Sequence, residues 1–410
     1  MTSTHEKQIH TQGPLASPRL RIVVLIKTNS GGAWILPQVE AMRGRGHEVI
    51  LVLPPGPGRL TTELRERGFE VFECPFPLRP APSTLAGLAR LRRLIRRLRP
   101  DIVQYHLIAS AYAARLATVG LPVRRVHSVA GPLYLDSPLI RTAERLMWRL
   151  DDVIVNGCAN AAARYEALGC PPHRLPVATY GVDTSRFDPT ESPPEQRVAA
   201  RAALGVAPDA FLAIMVAYAY PPKRLVHRGR GIKGHDVLLD AWRLFREKRE
   251  KHESFHLLLV GGGWTQAGET YRHSLIDRFG VNEDASITWL TSVPDVRPCY
   301  LAADVSVSPS LSESHGAAVE AGAMAVPSIV SDAGGLPETV DARSGWVVPR
   351  DDPPALAAAL NDAYAEFTAG TLASRGSAAR QRMVDQFDNR KTAEQVTDVC
   401  EQVAALVVRR

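Results

Sequence analysis

The sequence predicts an α/β protein made of two doubly wound domains in series, and three observations support that class. Short runs rich in Val, Ile and Leu alternate with helix-length segments from residue 21 onward. A polar, proline-bearing stretch at residues 181–201 interrupts this alternation, which then restarts. The chain's 410 residues also exceed one ordinary core, since a domain usually takes about 100–200. The expected division is a disordered polar leader (1–18), a first domain (19–188), a second domain (189–385) and a terminal segment (386–410).

The elements follow in order. RIVVLIKT (21–28) reads as a buried strand; the glycine turn SGGAW comes next, then the helix-like LPQVEAMRGRG. HEVILVLPPG (47–56) is a second strand, TTELRERG a helix and FEVFECP a third strand. DIVQYHL (101–107), RRVHSVAG (124–131) and DDVIVNG (151–157) continue the rhythm. Such βαβ units make right-handed crossovers and a parallel sheet covered on both faces. After the linker, FLAIMVAYAY (211–220), FHLLLVGGG (255–263), ASITWL (285–290), ADVSVSPS (303–310) and SIVSDAGG (328–335) are strands of the second sheet, with helices over GHDVLLDAWRLFREKRE and PALAAALNDAYAEF. In paired sheets of this kind, ligands lie at the carboxyl ends of the strands, in the cleft between the domains.

Apolar content of 45% and charged content of 22% are those of a globular chain, and no apolar run nears the roughly 18 residues of a membrane span. The leader lacks the apolar core of a secretion signal. Cys74, Cys158, Cys170, Cys299 and Cys400 form no CxxC pair, which argues against a disulfide framework or a zinc site and for a reducing cytoplasm. A net charge of +6 suits anionic partners without choosing among them.

Two stretches concentrate polar chemistry. In SLSESHGAAVEAGAMAVPSIVSDAGGLPE (310–338), Glu313, Ser314, His315 and Gly316 are expected to form the turn and first helical positions after a strand, where free N–H groups favour an anion. Gly316, Ala317 and Ala318 would let a ligand approach the backbone, and Glu320 lies further into the helix. A carboxylate so placed can accept two hydrogen bonds from a vicinal diol; the bland alternative is a pair of surface acids favoured by the helix dipole. Gly334 and Gly335 make a second backbone cradle. The other stretch, PPKRLVHRGRGIKGHD (221–236), carries Lys223, Arg224, Arg228, Arg230 and Lys233, with no acid before Asp236. Cations at a strand terminus can stabilise a leaving diphosphate, as a metal does elsewhere; a solvated basic loop is the rival reading. No DxD and no His or Cys cluster with ligand spacing appears, so no metal or other cofactor is expected.

These segments resemble those of glycosyltransferase family 4, the retaining enzymes of GT-B fold. SESHGAAVEAGAMAVPSIVSDAGGLPE is similar to the family's signature segment, YGVDTSRFDP to its interdomain segment, IKGHDVLLDAW to its lysine-glycine segment and SGGAW to its amino-terminal glycine loop. The resemblance implies two Rossmann-like domains facing a cleft, with the terminal helix returning to the first. It also implies that Lys233 contacts the donor diphosphate, Glu313 the transferred sugar and Glu320 the nucleotide ribose. Gly316, Gly334 and Gly335 would lie near phosphate or sugar, Gly31 and Gly32 near the reacting centre, and GGGW, with Gly262, near the base. His127, at a strand end, would approach the transferred sugar, and His315 would pack near phosphate. His106 also ends a strand, although a lone histidine is more often structural.

The chain departs from the family pattern in three places. Six residues rather than seven separate Glu313 from Glu320, so either Glu313 or Ser312 takes the first register. Ala217 and Tyr218 stand where a Gly-Arg pair is expected, leaving Arg228 and Arg230, ahead of Arg224, as substitutes. Tyr180 replaces an asparagine. Separately, the leucines at 85, 88, 91, 94 and 98, among six arginines of residues 85–100, read as the core face of a crossover helix in preference to a membrane-surface helix.

The expected function is metal-independent transfer of a sugar, with retention, from a UDP- or GDP-type donor on the second domain to a hydroxyl of an acceptor on the first. A small polar acceptor such as a cyclitol or secondary metabolite is preferred over lipid or polysaccharide assembly. A nucleotide-sugar epimerase or hydrolase, which would turn donor over without acceptor, and a non-catalytic binding module are the alternatives. No nucleic-acid partner is expected, and the oligomeric state stays open.

Overall fold

Strand alternation sets the two sheets. A computed structural model describes residues 18–75, 82–222, 227, 230–250 and 253–405. Its first sheet contains β1 (Arg21–Ile26), β2 (Glu48–Leu53), β3 (Glu70–Glu73), β4 (Ile102–His106), β5 (Arg124–Val129) and β6 (Val153–Asn156), ordered β3-β2-β1-β4-β5-β6. The second contains β7 (Phe211–Val216), β8 (Phe255–Val260), β9 (Ile287–Leu290), β10 (Val305–Ser308), β11 (Ser328–Ser331) and β12 (Gly345–Val348), ordered β12-β11-β10-β7-β8-β9. Every pairing within the sheets is parallel. Each sheet therefore reverses direction beside its first strand, at β1/β4 and at β7/β10, and opens a crevice there.

Successive side chains of a strand point to opposite faces, so each strand supplies two cores. In β1, Ile22, Val24 and Ile26 pack under α1 (Leu36–Gly44), α2 (Arg59–Glu66) and α14 (Asn389–Ala405), while Val23 and Leu25 pack under α3 (Pro82–Leu98) and α4 (Ile108–Thr118). In β7, Phe211, Ala213 and Met215 meet α8 (His235–Arg246) and α12 (Pro353–Thr368), while Leu212 and Ile214 face α10 (Arg297–Ala302), α11 (Ala318–Ala323) and α13 (Leu372–Gln386). Leu91 and Ile95 of α3 are buried, with Leu88, Leu94 and Leu98 packed beside them; Leu85 is 72% exposed.

The chain crosses between domains twice, and the crossings are joined. Val182 N–H donates to the Phe387 carbonyl at 2.7 Å and Asn389 N–H to the Val182 carbonyl at 2.9 Å. Gly181 makes the turn with φ of 64°, and a Cβ there would fall 2.4 Å from the Phe387 carbonyl oxygen. Beyond this junction α14 lies on α1, burying Val396, Cys400 and Val403 in the first domain, with Arg45 paired to Glu394 and Asp398. No helix among the described residues is long and apolar enough to cross a membrane.

Candidate functional site

The two switch points face each other, and two adjoining cavities lie there. One, of about 440 Å³, is lined from the first domain by Trp34 and Tyr180 and from the second by His315, Gly316 and Glu320. The other, of about 310 Å³, lies in the second domain between Tyr218, Tyr220, Lys233, Gly261, Ser292 and Glu320. Glu320 borders both.

Lys233 precedes α8 at the end of the β7 connection, and its ammonium is ion-paired with the Glu313 carboxylate. Burial pulls the Lys233 pKa down, but the charge and hydrogen bond of Glu313 outweigh it and hold the ammonium above its usual value. Glu313, rather than Ser312, therefore stands beside Lys233; Ser312 Oγ donates across the cleft to Asp136 at 3.1 Å. Among the described residues no cation pairs with Glu320 at bonding distance, although Arg186 borders the same cleft cavity. The Tyr300 hydroxyl donates to Glu320 at 3.2 Å, and burial raises the carboxylate's pKa.

The helix after Glu313 begins later than expected. Gly316 is left-handed at φ 52°, Ala317 caps the helix, and α11 runs only from Ala318 to Ala323. Six residues build little dipole, so charged side chains rather than a helix terminus dominate this corner. Gly316 lets Glu313 fold back over it: a Cβ at 316 would lie 2.9 Å from Glu313 Oε2.

The paired glycines serve protein packing. A Cβ on Gly334 would fall 1.8 Å from the Glu313 carbonyl oxygen, and one on Gly335 would fall 2.6 Å from Cys158 Cβ in the first domain. Neither borders either cavity. The following Glu338 accepts from the N–H groups of Ala159 (3.0 Å) and Asn160 (3.2 Å), at the start of α6 (Ala159–Glu166) in the first domain. His315 Nε2 lies 3.9 Å from Glu338, with its ring edge against Phe387 at 5.2 Å.

The basic stretch is less of a cation cluster than its composition implies. Arg230 is taken up by Asp236 (2.6 Å) and by Asp351, because carboxylates on neighbouring segments lie within reach of its guanidinium. Lys223, Arg224 and Arg228 lie outside the described residues. Among the described members of the stretch, Lys233 borders the second-domain cavity.

In the first domain, Gly32 needs its φ of 96°, with Ile26 2.8 Å from a notional Cβ, whereas Gly31 has room and faces Trp264 at 3.9 Å. His106 is buried, which pushes its pKa down to about 3 and keeps it neutral. It sits 3.3 Å from the Tyr180 hydroxyl and edge-on to Trp34, so it backs the cleft cavity without lining it. Tyr180 also packs on Trp34 at 4.4 Å, filling the place of the expected asparagine.

His127 is displaced from its expected place at the cleft. It is fully buried inside the first domain, where Arg115 donates to its Nδ1 at 3.1 Å and Tyr105, Tyr134 and Tyr165 surround its ring. Arg115 is held in turn by Glu144 and Asp151, and burial, then Arg115, push the imidazole well below its ordinary pKa. The loop after β8 behaves similarly. Gly261 and Gly263 are required by close backbone (2.2 Å from Ala217 O and 2.0 Å from Glu269 N), while a Cβ on Gly262 would meet only ordinary contacts. The cavity residues Trp34, Tyr218, Tyr220 and Ser292 were not singled out from sequence as ligand contacts; their only signal there is position, just past strand ends.

Residues 35–186 match the family described as Glycosyltransferase Family 4, and residues 222–366 match the one described as Glycosyl transferases group 1. A protein of Catenulispora acidiphila named D-inositol 3-phosphate glycosyltransferase 2 is 33% identical over 215 residues, which cover 51% of this chain and 47% of that protein. The chain thus spans about half the length of such curated relatives, 47% and 54% for two of them. A glycosyltransferase structure from Rickettsia africae aligns with a TM-score of 0.77 at 20% identity, covering 94% of this chain and 99% of that one. The structure of Anabaena HepE in complex with UDP aligns at 0.75 and 19% identity, covering 93% and 100%. At such identities these structures establish a shared fold.

Proposed function

The chain belongs to the family 4 glycosyltransferases of GT-B fold, and from that premise we propose that it transfers a sugar, with retention, from a nucleoside diphosphate to a hydroxyl of a small polar acceptor such as a cyclitol. The observation that carries the proposal is Glu320, a part-buried carboxylate that forms no ion pair among the described residues, standing where the cleft cavity and the second-domain cavity meet, with Arg186 on the rim of the former. A carboxylate partly withdrawn from water without an ion-pair partner is costly, and a ligand diol that donates two hydrogen bonds offsets that cost. The UDP of HepE and the inositol phosphate in the relatives' name support the donor and acceptor classes.

In this mechanism the base lies toward Gly261 and Ser292, the ribose on Glu320 and the diphosphate at Lys233. Donor phosphate takes Lys233 from Glu313, leaving that carboxylate for the transferred sugar. The glycosidic C–O bond to the diphosphate breaks, the acceptor oxygen bonds to the same face, and its proton passes to the departing phosphate oxygen. The positive charge of Lys233 is worth most as the leaving group gains charge. Ser312 and Glu338 hydrogen-bond to the first domain, and contacts of this kind hold the cleft together around the donor.

Lys233→Ala is expected to lower transfer about 100- to 1,000-fold. Glu320→Ala is expected to weaken nucleoside diphosphate binding about 10- to 100-fold, the value of a hydrogen bond to a charged group. Calorimetric titration with UDP and GDP reads the second effect directly; unchanged affinity in Glu320→Ala would remove the ribose assignment. Transfer is also expected to survive exhaustive chelation, and its loss on chelation would overturn the metal-independent reading.

A further inference from the structure

The position where the family resemblance expects a Gly-Arg pair holds Ala217 and Tyr218, and the surrounding residues form an aromatic surface. β7 and β8 continue past the sheet as two extended segments bridged at Ala219 and Gly263. Ala219 N–H donates to Gly262 O at 2.9 Å, and Trp264 N–H to Ala219 O at 3.0 Å. This short ladder holds the Trp264 ring 5.2 Å from Tyr218 and 5.8 Å from Tyr220, the latter pair nearly parallel at 26°.

Packing does not account for these side chains. None of the three belongs to a hydrophobic core cluster, and Trp264 and Tyr218 remain 52% and 42% exposed. Large aromatic faces left open on a rigid frame beside a polar cavity mark a binding surface. Their position is defined on both sides. Tyr218 and Tyr220 line the second-domain cavity, and the Lys233 ammonium is 5.8 Å from the Tyr220 ring. Trp264 reaches to 3.9 Å from a Cβ placed on Gly31 of the first domain. The surface therefore spans from the Lys233 corner to the first domain's glycine loop.

We propose that Tyr218, Tyr220 and Trp264 form a stacking subsite for the face of a saturated, polyhydroxylated six-membered ring. The C–H hydrogens on the face of such a ring meet the electron-rich aromatic faces, while its hydroxyls point outward to polar partners. This inference rests on the glycosyltransferase reading and adds ring shape to it. The ring is either the transferred pyranose of the donor or the ring of a cyclic acceptor, and both present the same chemistry.

The test compares the parent chain with Trp264→Ala and Trp264→Phe by calorimetric titration. The ligands are the better bound of UDP and GDP, its glucose or mannose conjugate, and inositol phosphate added to the nucleotide-bound protein. Nucleotide affinity is expected to stay within about twofold in both variants, because Trp264 itself does not line the second-domain cavity; an equal loss for the bare nucleotide would put the base on these rings and overturn the inference. Either the nucleotide sugar or the inositol phosphate is expected to bind about tenfold more weakly to Trp264→Ala, with most of the loss restored by Phe. A loss confined to the nucleotide sugar assigns the ring to the donor; one confined to inositol phosphate assigns it to the acceptor. If the variants bind all three ligands as the parent does, the subsite is overturned while the nucleotide reading stands. If the parent chain binds neither nucleotide, the glycosyltransferase reading fails, and this inference with it.

Discussion

Glu320 sets a conflict between stability and binding within one side chain. Its pKa is raised by burial, so the folded chain binds this proton at higher pH than the unfolded chain does. The stability it contributes therefore falls as pH rises above the ordinary carboxylate value of 4.5. Glu320→Gln is expected to melt higher than the parent at pH 8, by about 2–4 °C for each kcal/mol gained, with the gap closing toward pH 4–5. Thermal melts across pH check it, and a parent that is the more stable at pH 8 would contradict a carboxylate whose pKa is raised by desolvation. Lys233, Glu313 and Glu320 were legible as candidates because their charges stand out among small residues. His127 was misplaced because a strand terminus indicates an end of the sheet and not which way a side chain points; Arg115, brought alongside from α4, draws it into the core.

At the scale of elements, the junction of residues 181–184 with 387–390 ties the interdomain linker to the turn before α14. Burial pushes the Asp388 carboxyl up, but Arg390, Thr184 and the Arg390 N–H outweigh it and hold its pKa at about 2. That stabilisation is present above the ordinary value of 3.8 and is lost as pH falls toward 2. Asp388→Asn is expected to cost about 2 kcal/mol at pH 7, with the difference from the parent shrinking below pH 4, as denaturant melts would register. Gly181→Ala is expected to cost about 1–3 kcal/mol, because its left-handed backbone and the nearby Phe387 carbonyl leave no place for a methyl group. A midpoint unchanged from the parent would show that the linker relaxes freely. The sequence showed GVDTSRFDP as a linker, but its partner at 387–389 is about 200 residues distant, and no local pattern connects the two.

Across the whole molecule, the two domains meet through the loop of residues 312–338, where Ser312 reaches Asp136, Gly335 packs on Cys158 and Glu338 caps the start of α6. Glu338 carries the charged part of this contact, accepting two backbone hydrogen bonds at a helix start. Glu338→Ala is expected to shift the molecule toward an open arrangement, raising the radius of gyration in small-angle scattering and lowering turnover about tenfold with melting temperature little changed. An unchanged scattering profile would show that Glu338 does not hold the domains together. The order of β1 to β11 and the two-domain class follow from the sequence alone, because hydrophobic alternation and turn residues act over a few neighbours, whereas the short edge strand β12, only four residues of GWVV, was not read there. Which charges meet was decided only by the tertiary structure. Arg230 finds Asp351 because the crossovers of the second sheet bring the ends of β7 and β12 to one edge, and Glu338 finds Ala159 and Trp264 comes to Gly31 because the two domains pack against each other; both choose among carboxylates, amides and rings that the sequence leaves equally available.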